Sequence, residues 1–285
     1  MLELARGLTP AALDAIAELE RRVIAADGGR LKLEWGALRS RSGEHVEDLL
    51  WWDGAELLGF LGIYAFGAPT VELTGMVDPG TRRRGIATAL LDAALPLCRE
   101  RGYTPTLLVT PRTPVAAGEL ALARGAVLEH SEHALQLHDA PADGPSDPRI
   151  AVRPMTSRDT ATVHDLLEAG FGWHPTQPVD EAASEVVRRD HADTLVVTLD
   201  DAIVGTLRLS RDRDTAGIYG FVVHPDHQGR GIGRDVLRRV SRQALAAGAT
   251  RVHLEVAVDN DRALGLYTSL GFARVATEDY YALPS

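Results

Sequence analysis

The segment HPDHQGRGIG, residues 224–233, places glycines at positions 229, 231 and 233, between a candidate strand and a candidate helix. The first turn of a helix has backbone N–H groups without intrahelical partners, and the helix dipole adds positive character there. Phosphate oxygens suit such a position, and glycine leaves the backbone open to them. We therefore interpret this stretch as a pyrophosphate-binding loop, with Gln228 and Arg230 adding polar contacts at its rim. The alternative is a turn that only lets the helix pack closely on the strand.

The segment DPGTRRRGIA, residues 78–87, is a degraded copy of this loop. Residues 82–87 align with residues 228–233 at an offset of 146, and the same offset pairs Val77 with Val223 and Gly125 with Gly271. One fixed offset over such a length indicates two homologous domains. Residues 139–148, DAPADGPSDP, are rich in Pro, Asp and Gly, a composition typical of a linker. The sequence therefore predicts domains at 1–138 and 149–285, joined by this linker.

The elements that would position the second loop follow from its apolar periodicity. They are two strands around Asp200-Asp201 that predict a hairpin, a strand at 217–223 before the loop, a helix from Ile232 to a C-cap at Gly248, a strand at 251–258, a short helix at 263–270 closed by Gly271, and a last strand at 280–283. Helices alternating with a mostly antiparallel sheet predict an α/β, or α+β layered, fold.

Composition narrows the class of protein. Of 285 residues, 45% are apolar and 25% are charged, the balance of a soluble globular protein. No apolar run approaches the roughly 20 residues that span a bilayer, and the N-terminus has no signal-peptide pattern, so we expect a cytoplasmic protein without a membrane partner. The single cysteine, Cys98, excludes an intrachain disulfide and a cysteine-rich metal cluster, and we expect it to be inert packing. The net charge of −10 argues against a nucleic-acid partner.

Two motifs together resemble the GNAT acetyltransferase superfamily. VHPDHQGRGIG resembles its acyl-CoA pyrophosphate loop, V-x-x-x-x-(Q/R)-x-x-G-x-(G/A), and LEVAVDNDRALGLYTSLGF, residues 254–272, resembles its second signature at the usual distance. The resemblance covers residues 150–285, and a degraded form covers 1–138. It implies two tandem GNAT folds, each a mixed, mostly antiparallel sheet flanked by helices. It also implies acetyl-CoA as cosubstrate, a primary amine as acceptor and direct attack of the amine on the thioester, with no metal.

The resemblance assigns cofactor contacts to the second domain. In the family the pantetheine arm adds itself like an extra strand to the splayed strand before the loop, a role that falls here on the backbone of Phe221, Val222 and Val223. Main-chain amides of the loop would hold the pyrophosphate: Gln228, Gly229, Arg230, Gly231, Ile232, Gly233 and Arg234. Asn260 matches the family asparagine that contacts the cofactor arm. A helix N-cap would by itself also explain an asparagine at that position.

Proton transfer needs an acid and a base. Tyr267 matches the family tyrosine beside the cofactor sulfur, where a phenol can protonate the departing thiolate. Its alternative role is a core aromatic. Many family members carry a glutamate on the strand before the loop, where this chain has Gly217 and Ile218. Glu255 is the better candidate base, because its spacing to the asparagine and tyrosine resembles ribosomal-protein alanine acetyltransferases. A solvated strand position is its alternative, and His174 is a second candidate base.

The first domain lacks these groups. The offset places Val109, Pro114 and Ala121 where Glu255, Asn260 and Tyr267 stand in the second domain, and none can exchange a proton. The loop keeps its pattern, which makes it a candidate second cofactor site formed by Val77, Arg82, Arg83, Arg84, Gly85, Ile86 and Ala87. The alternative is a domain that only supports the second one.

Several functions stay open at this point. Tandem GNAT proteins active in the C-terminal half include mycothiol synthases, which acetylate a cysteinyl amine, and GFGWHPTQ and GLYTSLGF resemble that family loosely. An antibiotic-modifying enzyme and an enzyme acting on a protein amine are alternatives within the class. A non-catalytic acyl-CoA sensor is an alternative from another class. The sequence predicts catalysis in the C-terminal domain and does not identify the acceptor amine.

Overall fold

The computed structural model describes residues 1–66, 69–171 and 192–284. These residues form two compact units: residues 1–133 with 275–285, and residues 134–274. Within the described ranges, no helix combines the length and the apolar character needed to cross a membrane. In each unit helices flank a mixed, mostly antiparallel sheet, which confirms the predicted fold class.

The first unit contains most of the first repeat. Its elements are β1 (Leu2–Ala5), α1 (Pro10–Asp27), α2 (Trp35–Ser40), β2 (Asp48–Asp53), β3 (Glu56–Ala65), β4 (Val71–Val77), α3 (Ile86–Glu100), β5 (Thr106–Pro111), α4 (Ala116–Ala123) and the start of β6 (Val127–Leu137). Strands β4 and β5 are parallel, whereas β1 to β4 pair antiparallel. One apolar core lies under α3 and includes the fully buried Cys98, as expected, and another lies under α1.

The second unit repeats this order. Its elements are the end of β6, β7 (Ile150–Pro154), α5 (Thr160–Phe171), β8 (Ala192–Leu199), β9 (Ala202–Asp212), β10 (Thr215–Val223), α6 (Ile232–Ala246), β11 (Arg251–Ala257), α7 (Asp261–Thr268) and the start of β12 (Ala273–Ala282). The hairpin, the strand before the loop and both helices occur where the sequence predicts them. At the hairpin turn, Asp200 and Asp201 have φ of 48° and 67°, which suits the twist of the paired strands.

The compact units differ from the two halves of the chain at their last strands. Residues 275–285 group with the first unit, where β12 pairs antiparallel with β5 from Glu278↔Pro111 to Ala282↔Leu107. Conversely, Leu135 and Leu137 at the end of β6 are part of the core of the second unit. The strand begins earlier than the predicted 280–283, at Ala273, because its first half is exposed or half-buried and presents no apolar face to a core. The boundaries 1–138 and 149–285 therefore describe the sequence repeats and not the packed units.

The predicted linker lies within the second unit and is held along α6. The guanidinium groups of Arg238, Arg239 and Arg242 donate to the carbonyl oxygens of Pro145, Asp147 and Pro141 at 2.8, 3.0 and 3.0 Å. Three contacts of this kind fix residues 141–147 against one helix. The proline-rich composition of the predicted linker leaves backbone carbonyls available to arginines. These carbonyls hold the segment on α6.

Candidate functional site

The backbone of the loop between β10 and α6 requires glycine at two positions. Gly229 has φ of 76°, and Gly231, the N-cap of α6, has φ of 82° and ψ of −5°, both in the left-handed region that side chains rarely adopt. A Cβ built on Gly231 meets no atom within 4 Å, so the loop opens outward at that point. The turn therefore presents bare backbone at the start of a 15-residue helix.

Most backbone N–H groups of the loop have no hydrogen-bond acceptor among the described residues. In the described part of the chain, the backbone N–H groups of residues 229–234 donate to no protein acceptor, as expected for a turn that enters the first turn of a helix. Gln228 differs from the prediction, because its N–H donates to the carbonyl oxygen of Pro225 at 3.1 Å and closes a 3-10 turn. Six consecutive amides beside a helix N-terminus form a cradle suited to an anion.

The side chain of Gln228 also has a different role from the predicted rim contact. Its Nε2 donates to the carbonyl oxygen of Val223 at 2.9 Å, and its Oε1 accepts from Arg262 at 2.9 Å. Gln228 therefore braces the loop between the end of β10 and the start of α7. Arg234 donates to Ser269 Oγ at 2.6 Å, while the Arg230 side chain is exposed at the loop rim.

Strands β10 and β11 diverge just before the loop. Their parallel pairing includes only three positions and ends at Gly217↔His253, although both strands continue. A β-bulge between Tyr219 and Val222, with Gly220 at φ 55°, bends β10 at this point. On the side toward β11, residues 221–223 thus have no ladder partner among the described residues. The backbone of Phe221, Val222 and Val223, which is the predicted partner of the pantetheine arm, therefore lies beside a gap in the sheet.

Asn260 is the N-cap of α7. Its Oδ1 accepts from the Ala263 N–H at 3.0 Å, which satisfies one donor of the first helical turn. The structural alternative for this residue is therefore confirmed, and its contact with a cofactor stays a prediction. The contact between Arg262 and Gln228 holds the start of α7 next to the glycine loop.

Tyr267 lies in the core of the second unit, with a side chain that is 8% exposed. Its ring packs edge-on against Phe272, with the centroids 6.1 Å apart. Burial raises the pKa of the Tyr267 phenol to about 12, because the phenolate would lose its hydration. The phenol thus keeps its proton throughout the neutral range, as a general acid must. Packing is shown for Tyr267, and acid catalysis stays a prediction.

Glu255 lies on the other face of β11. Leu254 and Val256 belong to the apolar core, so strand alternation directs the half-buried Glu255 and His253 to the opposite face. Glu255 stands two residues beyond the last β10–β11 pair, at the start of the gap. His174, the second candidate base, lies outside the described residues.

A tyrosine–histidine pair that sequence reasoning missed lies on the same face. Tyr219 Oη and His253 Nε2 are 3.0 Å apart, and Arg208 on β9 lies over the Tyr219 ring with its guanidinium carbon 5.3 Å from the centroid. The alternation of His253 with Leu254 and Val256 was the available signal. The partner strand could not be read from it, because the pairing of β10 with β11 joins residues more than 30 positions apart.

The loop of the first unit has the same backbone and a different setting. Gly85 caps α3 with φ of 82° and ψ of 1°, and Arg83 adopts φ of 65° where the second loop has Gly229. Arg82 donates to the Val77 carbonyl oxygen at 3.3 Å, as Gln228 does to Val223, and also pairs with Asp27. The ladder between β3 and β4 runs without a bulge from Gly59↔Val77 to Ala65↔Val71.

The first unit also fills the positions of the missing groups with apolar packing. Val109 is 4% exposed and packs with Leu107 and Tyr280, and Ala121 on α4 is fully buried in the core under α3. Neither side chain offers a proton donor or acceptor where Glu255 and Tyr267 stand in the second unit.

A glycine-capped helix beside two diverging parallel strands, present in two copies, defines the class of protein. The sequence profile described as the acetyltransferase (GNAT) family matches residues 13–119 and 160–272, and the chain belongs to this family. The chain is a tandem GNAT protein, and the predicted fold and enzyme class, an N-acetyltransferase, are confirmed.

Two curated relatives are named mycothiol acetyltransferase. The protein from Kineococcus radiotolerans is 32% identical over 94% of this chain and 92% of its own length. The protein from Actinosynnema mirum is 30% identical over 73% of each chain. These likenesses confirm the predicted similarity to mycothiol synthases.

Two solved structures share the fold over nearly the whole chain. A GCN5-related N-acetyltransferase from Sphaerobacter thermophilus superposes with a TM-score of 0.76 at 21% identity, covering 98% of this chain and 94% of its own. A tandem GNAT protein from the clavulanic acid biosynthesis pathway gives a TM-score of 0.69 at 21% identity, covering both chains completely. At these identities the likeness supports the fold alone.

Proposed function

We propose that this protein transfers the acetyl group of acetyl-CoA to a primary amine, and that the reaction takes place in the second unit. The observation that carries the proposal is the set of six backbone amides at residues 229–234, which have no acceptor in the described part of the protein, beside the gap between β10 and β11. The amides suit a pyrophosphate, and the backbone of Phe221, Val222 and Val223 offers ladder positions to an extended arm. The cosubstrate would enter the gap between β10 and β11, with Glu255 on one side of its thioester and Tyr267 on the other.

The two faces provide complementary proton chemistry. Glu255, at the start of the gap, accepts a proton from the attacking amine, and Tyr267, whose pKa is raised to about 12, donates one to the departing thiolate. Asn260 contacts the cofactor arm through its amide nitrogen, while its Oδ1 caps α7. Arg230, exposed at the rim, attracts the phosphate charge.

We infer that the acceptor is a small molecule with a cysteinyl amine. Support comes from the relative named mycothiol acetyltransferase, which is 32% identical over 94% of this chain. The acceptor lies on the Glu255 face in this proposal, because the opposite side of the sheet is filled by the apolar core under α6. An antibiotic amine or a protein amine remains the alternative acceptor.

The experiment is a steady-state assay of CoA release with acetyl-CoA and a panel of amines that contains S-methylcysteine amide, aminoglycosides and a peptide with N-terminal alanine. Blocking the cysteine sulfur removes the direct reaction of a thiol with the thioester. We expect the cysteine derivative to give the highest kcat/KM. Tight acetyl-CoA binding without turnover of any amine would favour the alternative of a non-catalytic sensor.

The first-unit loop supports a second, silent acetyl-CoA site. Its backbone repeats the angles of the catalytic loop, and Arg83 and Arg84 add two exposed positive charges. Calorimetry distinguishes the cases, because a silent site gives a stoichiometry of two in wild type and of one in Gly85→Val. A stoichiometry of one in both proteins would contradict it.

A further inference from the structure

The proposed reaction requires two proton acceptors on the amine side, and Glu255 accounts for one. A cysteinyl α-amine, whose ordinary pKa is about 7.7–8.0, arrives mostly as an ammonium ion at pH 7, so it must lose one proton before attack. The nitrogen loses a second proton after it bonds to the carbonyl carbon, and the thiolate gains one. The net reaction, R–NH3⁺ with acetyl-CoA giving R–NH–CO–CH3, CoA–SH and H⁺, releases one proton to solvent.

The structure offers a candidate for the second proton acceptor beside Gly217, the position of β10 that has no side chain. Gly217 lies in the strand before the loop, and a Cβ built on it would lie 2.6 Å from the Tyr219 ring and 2.8 Å from His253 Nε2. The tyrosine and the histidine thus occupy the space into which a residue at 217 would extend. Their polar atoms meet there at 3.0 Å, on the same face as Glu255.

We propose that Tyr219 and His253 form a proton relay that deprotonates the incoming ammonium ion. This inference rests on the proposed function. Tyr219 Oη accepts the ammonium proton as its own proton passes to His253 Nε2, which leaves a neutral amine and an imidazolium that releases its proton to solvent. The step needs the tautomer with the proton on Nδ1, so that Nε2 accepts. Tyr219 contacts the substrate, and His253 acts through it.

The surroundings favour this direction of transfer. Tyr219 stands at the bulge, two residues beyond the last β10–β11 pair. It is close in sequence to residues 221–223, whose backbone would pair with the pantetheine arm. Arg208 lies over its ring, and the buried Nε of Arg208 has no hydrogen-bond partner among the described residues. A cation held over the ring favours electron density on the phenol as its proton passes to His253. Among the described residues, Glu255 on β11 shares this face, and the helix packed against β9 and β10 carries the titratable side chains of His164 and Glu168.

The test compares pH profiles of kcat/KM for wild type, His253→Gln and Tyr219→Phe with S-methylcysteine amide, or with the amine turned over fastest in the panel. Glutamine keeps a hydrogen-bonding group beside Tyr219 and cannot carry the proton onward. His138→Gln changes an exposed histidine and is the matched control. We expect a tenfold or larger loss near pH 7 in both variants, shrinking above pH 9 as the amine itself becomes neutral, and partial recovery of His253→Ala with added imidazole.

Three outcomes overturn the relay. A loss that is the same at every pH, with no imidazole rescue, would show that the pair only supports the strand. Unchanged profiles in both variants would show that Glu255 and water remove both protons. Either result leaves the proposed acetyl transfer intact. Wild-type protein that turns over no amine would instead contradict the proposed function and the relay with it.

Discussion

The two strand–loop–helix segments, residues 71–100 and 215–246, share a backbone and differ in almost everything around it. Gly85 and Gly231 have φ of 82°, and the helices that follow are both 15 residues long. The bulge at Gly220 and the groups Glu255 and Tyr267 occur in the second unit, and no bulge interrupts the β3–β4 ladder of the first. The parallel ladders are short in both units, with three pairs between β10 and β11 and four between β4 and β5. The glycine-capped turn thus persists where the candidate proton-transfer groups do not, because the turn depends on backbone angles and the proposed chemistry depends on side chains.

Removing the Tyr267 hydroxyl tests the largest difference between the units. Tyr267→Phe keeps the ring packed against Phe272, and we expect kcat to fall by roughly 10²–10⁴ with little change in thermal stability. Because burial raises the pKa of Tyr267 to about 12, the wild-type rate should show no loss from phenol ionisation below about pH 11. Initial rates of CoA release measure both. Near-normal turnover would leave Tyr267 as packing alone.

Glu255→Gln removes the proposed base, whose position in the first unit is occupied by Val109. We expect kcat/KM to fall by roughly 10²-fold and the acidic limb of the pH–rate profile to disappear, since the amide accepts no proton. Acetyl-CoA affinity by calorimetry should stay unchanged and serves as the control. An intact acidic limb would shift the base role to another group on this face.

Gly231→Val should disrupt the proposed pyrophosphate-binding loop of the second unit. A side chain at φ 82° both strains the backbone and covers the amides, so we expect acetyl-CoA affinity at the catalytic site to fall at least tenfold, about 1.4 kcal/mol. Gly248→Val is the matched control, because Gly248 also has positive φ, at 103°, and no neighbour within 4 Å, yet lies at the far end of α6. Equal losses of affinity in the two variants would mean that the effect comes from stability alone.

Gly85→Val makes the equivalent change in the first unit, and we expect kcat/KM to stay within about threefold of wild type. The strain at this position matches that at Gly231, since both residues have φ of 82° and open space around the Cβ position. Parallel initial rates with one amine compare the two variants. If both changes abolish turnover in folded protein, the assignment of catalysis to the second unit is wrong.

Arg83→Gly should have the smallest effect. Arg83 holds φ of 65° at a cost of roughly 1–2 kcal/mol for a side chain in that region, and glycine would relieve it while costing roughly 0.5–1 kcal/mol of chain entropy. We therefore expect a small gain in the free energy of unfolding, measured by urea denaturation. The neighbouring Arg84→Gly, whose φ is not in the left-handed region, should lose stability. A loss at both positions would contradict the strain.

The sequence by itself determined the repeat, the loop and the secondary structure around it. The glycines at 229 and 231 are readable because only glycine adopts those angles without strain, and the hairpin at Asp200-Asp201 follows from local alternation. The likeness to the GNAT family followed from two motifs at a fixed distance. These features are local, and local preferences are encoded in neighbouring residues.

Tertiary structure decided what joins distant parts of the chain. Three features depend on contacts between residues far apart in sequence. They are the pairing of β12 with β5, the docking of residues 141–147 on α6, and the contact of Tyr219 with His253 in the space beside Gly217. Alternation tells which side chains share a face, and it carries no register between strands. The same limit applies to Gln228. Its side chain was expected at the loop rim and instead hydrogen-bonds to the Val223 carbonyl and to Arg262. The sequence does not give these partners, because they come close only in the folded chain.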